Sequence, residues 1–260
     1  MPGLLDSKTI IVTGGSAGIG AAICQAVIDE GGNVLIHGRR KEAMAEQAAR
    51  LGARASFVVA DLAEEDAEQK VFDAGISAFG KVDGLVNNAA IFPRSNIEAD
   101  ILEQFDDVFH VNARTPLMLS QCFTRHCRER KAPGSIVNIG SINAYCGAPF
   151  LLLYSMSKGA LMTMTRNLGD ALGADKIRVN QLNVGWTYTD GEIEIQRQAG
   201  ATDDWHEKVS KTAAPSGKLL QPEDVAHHAV FWLSDKSAPV SGTVLEVEQF
   251  PVIGRNRDSG

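Results

Sequence analysis

The sequence is poor in several features that would assign a function class quickly. No apolar run approaches 18 residues, so no transmembrane helix is expected. Only four cysteines occur, Cys24, Cys122, Cys127 and Cys146. Their spacing fits no CxxC metal or redox pattern, and they read as reduced thiols in a cytoplasmic protein. Basic residues are the minority, 25 Lys and Arg against 32 Asp and Glu, for a net charge of −7. No basic stripe of the kind that grips nucleic acid is present. The start, Met1-Pro2-Gly3-Leu4-Leu5-Asp6, lacks the charged and apolar regions of a secretory signal. No Pro/Gly/Ser linker, charge block or internal repeat divides the 260 residues. What remains is a chain of ordinary globular composition that suits small-molecule chemistry. Glycine is in surplus, 25 residues, about 10% against a usual ~7%.

Short β-branched runs alternate with longer helical stretches. Strands are expected at 9–13, 33–38, 56–60, 82–87, 135–139, 177–182 and 243–247. Helices are expected at 19–31, 41–51, 64–79, 103–130 with a bend at Pro116, 155–172 and 222–233. This alternation predicts an α/β fold, one Rossmann-type domain over 1–260 with a doubly wound parallel sheet and helices on both faces. The stretch from about Asp190 to Gly217 is polar and irregular, as a lid or substrate loop would be.

Thr13-Gly14-Gly15-Ser16-Ala17-Gly18-Ile19-Gly20 lies between the first strand and the first helix. Glycines there permit a tight turn and a close approach to a pyrophosphate, which the helix N-terminus would attract. The spacing is GxxxGxG, and a purely structural turn is the other reading. The second strand ends in His37-Gly38-Arg39-Arg40, without the acid that would hold a ribose 2′-hydroxyl. An arginine fork can take a 2′-phosphate instead, which favours NADP(H), with NAD(H) the alternative if the arginines are a solvated helix cap. Asp61 is placed to meet the adenine edge, or to cap a helix before Glu64.

Gly140-Ser141 ends the fifth strand, and Tyr154 and Lys158 follow one helical turn apart on one face. A free tyrosine is a poor base at neutral pH, and a nearby ammonium favours its phenolate. The pair can exchange a proton with an alcohol or carbonyl oxygen, and Ser141 can donate to the same oxygen.

With Asn87-Asn88-Ala89-Ala90 and Asn112 in the expected order, these motifs make the chain resemble the short-chain dehydrogenases/reductases over nearly its whole length. The resemblance implies seven strands in the order 3-2-1-4-5-6-7. It implies Tyr154 as general acid/base, with Lys158 on the nicotinamide ribose and lowering the tyrosine pKa. Ser141 would polarise the carbonyl, and Asn112 would hold a relay water. Gly14, Ser16, Gly18, Ile19, Gly20, Arg39, Arg40, Asp61, Leu62, Asn87 and Ala89 would line the dinucleotide. Gly185, Thr187 and Thr189 would clasp the nicotinamide amide. It further implies a cytoplasmic homotetramer, or a homodimer, paired through the helices that carry Asn112 and Tyr154.

Three positions depart from the family pattern. Asn183-Val184-Gly185 stands for Asn-Pro-Gly, Ala90 for glycine, and the tail from Glu248 to Gly254 for an acid and two glycines. That tail reads as a plug in its own core, the alternative being a cover for a neighbouring subunit. His37 reads as a cofactor-edge or structural residue. His227 and His228 are adjacent on a helix, so no metal is expected. Trp186, Trp205 and His206 read as packing or pocket wall, and Phe150 to Leu153 as a substrate wall or a packed contact. The function expected is hydride transfer between a nicotinamide and a secondary alcohol or ketone. A carrier-linked oxoacyl-thioester reductase and a non-catalytic dinucleotide sensor are the alternatives. The carrier reading asks for a basic patch, to which Arg94, Arg125 and Arg128 are the candidates.

Overall fold

Seven short runs of aliphatic and β-branched residues form the strands of one sheet. They are β1 (Thr9–Val12), β2 (Asn33–Gly38), β3 (Ala55–Val59), β4 (Gly84–Asn87), β5 (Gly134–Ser141), β6 (Ile177–Val184) and β7 (Val244–Val247). The computed structural model describes residues 2–98, 101–145 and 147–253, so Cys146 and Gly254 lie outside the described residues. The strand order is β3-β2-β1-β4-β5-β6-β7, as expected, and every pairing is parallel. The order reverses between β1 and β4, and the crevice above such a switch point is where ligands bind in open α/β sheets.

Side chains alternate across the sheet, and each face buries its own core. Ile10, Val12, Val34, Ile36, Val137 and Leu182 point to one side, against Ile23 and Val27 of α1 (Gly18–Asp29), Met44 of α2 (Lys41–Leu51) and Val225 and Leu233 of α8 (Pro222–Leu233). Ile11, Leu35, Leu85, Ile136 and Val179 point to the other, against Val71 and Phe72 of α3 (Ala67–Phe79) and Leu119 and Phe123 of α5 (Thr115–Arg130). Burying both faces explains why these strands read as continuous apolar runs.

Four local expectations are corrected. The third helix starts at Ala67, not Glu64; the segment before it turns, and Asp61 accepts the Ala63 N–H there at 3.1 Å. The long helix bent at Pro116 is instead α4 (Leu102–Phe109), a π-helical turn (His110–Arg114) and α5. The irregularity immediately precedes the proline, which follows the π-helical turn in a helical run that continues from α4. The helix α6 (Leu152–Ala171) begins a turn earlier than expected, which puts Tyr154 in its first turn. The stretch after Asp190 opens with a helix, α7 (Asp190–Gln198), because Thr189 caps it by accepting the Glu192 N–H at 3.2 Å. No described helix is long and apolar enough to cross a membrane.

Candidate active site

The glycine turn after β1 is built by close approach. Gly14 has φ +65°, open to glycine at little cost. A Cβ on Gly20 would collide with the Gly14 carbonyl oxygen and the Asn88 side chain. Asn88 explains the crowding: its Nδ2 donates to the carbonyls of Thr13 and Gly14 at 2.8 and 3.1 Å. Thr13 Oγ1 answers by accepting the N–H groups of Asn88 and Ala89 at 2.9 and 3.0 Å. The turn leads straight into α1, whose first residues are Gly18, Ile19 and Gly20. Their backbone N–H groups have no intrahelical partner and form an anion-binding end.

A cleft of about 240 Å³ opens beside the turn. Gly14, Ser16, Arg39, Arg40, Asp61, Leu62 and Ala89 line it, together with His37 and Ala90. No carboxylate stands at the end of β2. Arg39 and Arg40 are exposed, and Arg40 is the residue that precedes α2. Arg39 lies 3.9 Å from Asp61, with side chains 67% and 41% exposed. A pair so loose and so wet is worth at most about 1 kcal/mol, so it leaves the guanidinium available to a stronger anion. A dinucleotide fits these residues: the cradle excludes a Cβ, offers N–H groups and sets arginines at its far end.

Ile91, also in the cleft wall, connects it to the second cluster. Asn112, in the π-helical turn, accepts the Ile91 N–H at 2.9 Å and donates to the Ile91 carbonyl at 2.8 Å. Its other amide hydrogen goes to Ser157 Oγ at 3.0 Å, and Ser157 donates to the Tyr154 carbonyl at 2.7 Å. Both amide hydrogens of Asn112 are therefore committed to the scaffold. Ser157, next to Lys158, is a positioning group that the sequence reading passed over.

Ser141, Tyr154 and Lys158 meet at the end of β5 and the start of α6. The Ser141 hydroxyl is hydrogen-bonded to Tyr154. Lys158 Nζ lies 5.6 Å from the Tyr154 ring centre and donates to the Ile139 carbonyl at 2.7 Å. Burial lowers the Lys158 pKa from 10.5 to about 8. Burial pushes the Tyr154 phenol up, and only the hydrogen bond from Ser141 pulls it back. Burial raises the phenol, and the hydrogen bond to Ser141, rather than Lys158, is the influence that lowers it here. The phenol is held protonated, which is the form of a proton donor. Phe92 packs edge-on against Tyr154, with ring centres 5.9 Å apart. The loop that carries it is fixed by Ser95, which pairs with Leu151 and accepts the Leu153 N–H at 3.1 Å.

Asn87 donates to Asn138 at 2.8 Å, and its own Oδ1 is buried with no partner. Beyond β6, Thr187 donates to the Gly185 carbonyl at 3.2 Å, and Thr189 stands against Gly18. The segment read as a nicotinamide clasp therefore returns to the glycine turn. Valine replaces proline before Gly185, and Glu248 supplies the missing constraint. Its Oε2 accepts the Trp186 N–H at 3.3 Å, and a Cβ on Gly185 would collide with the same carboxylate. Gln249 accepts the Ser216 N–H at 2.9 Å and donates to the Lys218 carbonyl at 2.6 Å. The described part of the tail is thus tied to its own chain.

The remaining candidates fall elsewhere. Trp186 and Trp205 stack with ring centres 5.7 Å apart, and Tyr188 lies 4.6 Å from His206. These four line the loop after β6 as one aromatic cluster. Leu153 is buried, whereas Phe150 is exposed with the Arg94 guanidinium 4.3 Å over its ring. The three arginines do not form one patch: Arg125 and Arg128 line the same groove beside α5, where Arg125 bonds Gln69 and Cys122 and Arg128 bonds Asp175, whereas Arg94 lies over Phe150. His227 and His228 are both exposed. Among the described residues no group of His, Cys, Asp and Glu could hold a metal ion.

A family model described as enoyl-(acyl carrier protein) reductase matches residues 14–249. The L-rhamnose 1-dehydrogenase (NADP(+)) of Thermoplasma acidophilum is 31% identical over 92% of this chain and 93% of its own. The L-sorbose reductase of Gluconobacter frateurii, solved with NADPH and L-sorbose, superposes with a TM-score of 0.89 at 27% identity, over 95% of this chain and 97% of its own. The 3-ketoacyl-(acyl-carrier-protein) reductase of Brucella melitensis, solved with NADH, superposes with a TM-score of 0.82 at 29% identity, over 93% and 97%.

Proposed function

Since this chain belongs to the short-chain dehydrogenase/reductase family and is an NAD(P)-dependent oxidoreductase, we propose that it interconverts a ketone and a secondary alcohol with Tyr154 as the proton carrier. The observation that carries the reading is the meeting of Ser141, Tyr154 and Lys158 beside a glycine-turn cleft. The bound nicotinamide supplies or accepts the hydride. Tyr154, protonated in its buried setting, donates to the carbonyl oxygen during reduction and takes the proton back during oxidation. Ser141 donates a hydrogen bond to the same oxygen and opposes charge build-up there. Lys158 holds the cofactor ribose and feeds the proton path. Asn112 has spent its side-chain hydrogens, so a relay water is left to its main-chain carbonyl.

NADP(H) is the preferred cofactor, held at its 2′-phosphate by Arg39 and Arg40. Asn87, Ala89, Gly185, Thr187 and Thr189 complete the dinucleotide contacts. The nearness of Asp61 to Arg39 is the observation on the other side, and it keeps NAD(H) as the alternative. The same reading takes the enzyme as cytoplasmic and as a homotetramer, or a homodimer. A groove of about 390 Å³ between α5 and α6, lined by Leu117, Leu168 and Leu172, supports pairing of copies there.

Two assays test this. A screen of NADPH and NADH oxidation against ketones, sugars and acyl thioesters should give turnover, and cofactor binding without any turnover would favour a sensor. Arg39→Ala should lower kcat/KM for NADPH by about tenfold, the size of a lost charge-assisted hydrogen bond. NADH should be nearly unaffected. Equal losses for the two would refute the phosphate role.

A further inference from the structure

His37 is the buried group that the proposed chemistry leaves unused. It sits on β2, only 2% exposed, in the wall of the dinucleotide cleft. Its Nδ1 is 3.4 Å from the Gly14 nitrogen, and its Nε2 is 3.0 Å from the Ala60 carbonyl oxygen. These partners fix the tautomer. A carbonyl can only accept, so Nε2 carries the hydrogen; an amide N–H can only donate, so Nδ1 is bare. The main chain repeats the tie, with Gly15 donating to the His37 carbonyl at 2.9 Å and Ala60 to the Gly38 carbonyl at 3.2 Å.

Gly14 itself needs holding. With φ at +65° and no side chain, its peptide unit has wide freedom to turn. Asn88 holds its carbonyl at 3.1 Å from one side, and His37 holds its N–H from the other. We propose that His37 is a positioning residue for the dinucleotide, its neutral ring bracing Gly14 against Ala60 so that the turn presents the Gly18–Gly20 amides to the pyrophosphate. This rests on the dinucleotide reading of the cleft.

The brace works in one charge state only. A protonated ring would set N–H against N–H at Gly14. Burial keeps the ring neutral, with its pKa down to about 4. The charged groups that face it are Asp61, at the end of β3, which favours the proton, and Arg39, at the end of β2, which opposes it.

The test is the Kd of NADPH and of NADH, read by nicotinamide fluorescence on the full chain, with thermal stability measured alongside. Wild type, His37→Phe and His37→Gln are compared at about pH 7 and about pH 4, where a ring with a pKa of about 4 is half protonated. His37→Phe keeps a flat buried ring but has no acceptor, and should raise both Kd values about fivefold, the size of one lost net hydrogen bond. His37→Gln offers an acceptor and a donor and should restore binding to within about twofold at pH 7. Wild type should weaken toward acid, whereas His37→Gln, with no titrating ring, should show only the ligand's own dependence.

Phe and wild-type proteins binding alike would overturn the brace, as would a Gln variant that keeps the full acid weakening. A loss of melting temperature in His37→Phe with unchanged Kd would mark a merely structural histidine. Should His37→Phe fail to fold, the Gln variant and the acid series still decide. Wild-type protein that binds neither dinucleotide would instead defeat the underlying dinucleotide reading.

Discussion

Lys158 gives the cofactor site a pH limb whose position follows from burial. The lysine is 3% exposed, and its ammonium donates to the Ile139 carbonyl, a neutral acceptor. Among the described residues no carboxylate pairs with it, and burial brings the pKa from 10.5 to about 8. That change corresponds to about 3 kcal/mol against the charged form in the fold. At pH 7 about nine-tenths of the molecules carry the ammonium, and at pH 9 about one-tenth. The kcat/KM for the dinucleotide, which reports groups of the free enzyme, should therefore fall about tenfold across that interval during carbonyl reduction. Tyr154 does not obscure the limb, because burial moves the phenol the other way, above its ordinary value. Stability should show the complement. The unfolded chain binds more protons than the folded one between about pH 8 and 10.5, so stability should rise with pH across that window. Stopped-flow or steady-state rates from neutral to alkaline pH, with Lys158→Met as the control, give the assay. A profile flat to alkaline pH, or the same limb in Lys158→Met, would refute the reasoning.

Other changes have directions that the packing sets. Gly185→Ala would force the Glu248 carboxylate off the turn that carries Trp186, and should raise KM for the cofactor while lowering the melting temperature. Gly20→Ala meets backbone at Gly14 and should abolish dinucleotide binding as read by fluorescence titration. Asn112→Ala removes the ties to Ile91 and Ser157, leaves Ile91 N–H without its acceptor, and should cost about 2 kcal/mol in denaturant unfolding.

The sheet was legible because both of its faces are buried: runs such as Thr9–Val12 and Ser135–Ile139 admit few readings other than a strand. Tyr154 and Lys158 were legible because their spacing comes with Ser141 at a strand end and a glycine turn after the first strand, the set of motifs that carries the family resemblance. The helix boundaries were less so. Pro116 drew attention as a bend, but the sequence does not say that the irregularity is a π-helical turn around Asn112, just before the proline. The start of α6 depends on Ser95, more than fifty residues away, accepting the Leu153 N–H. The stretch after Asp190 reads as polar and irregular, but its first turn is fixed by the Thr189 cap, a signal that the sequence does carry. The tyrosine electrostatics could not be read from spacing, since the sequence places Lys158 near Tyr154 but does not say that the ammonium turns to Ile139. His37 and Glu248 illustrate the same limit. Each acts through backbone groups of distant segments, and only the folded chain brings these within reach.

The most direct measurement is Tyr154→Phe, assayed twice on one preparation. NADPH binding should stay within about twofold of wild type, while turnover of the best carbonyl substrate should fall about a hundredfold or more, the range of a lost general acid. Unchanged turnover in that variant would contradict the role of the phenol as the proton carrier.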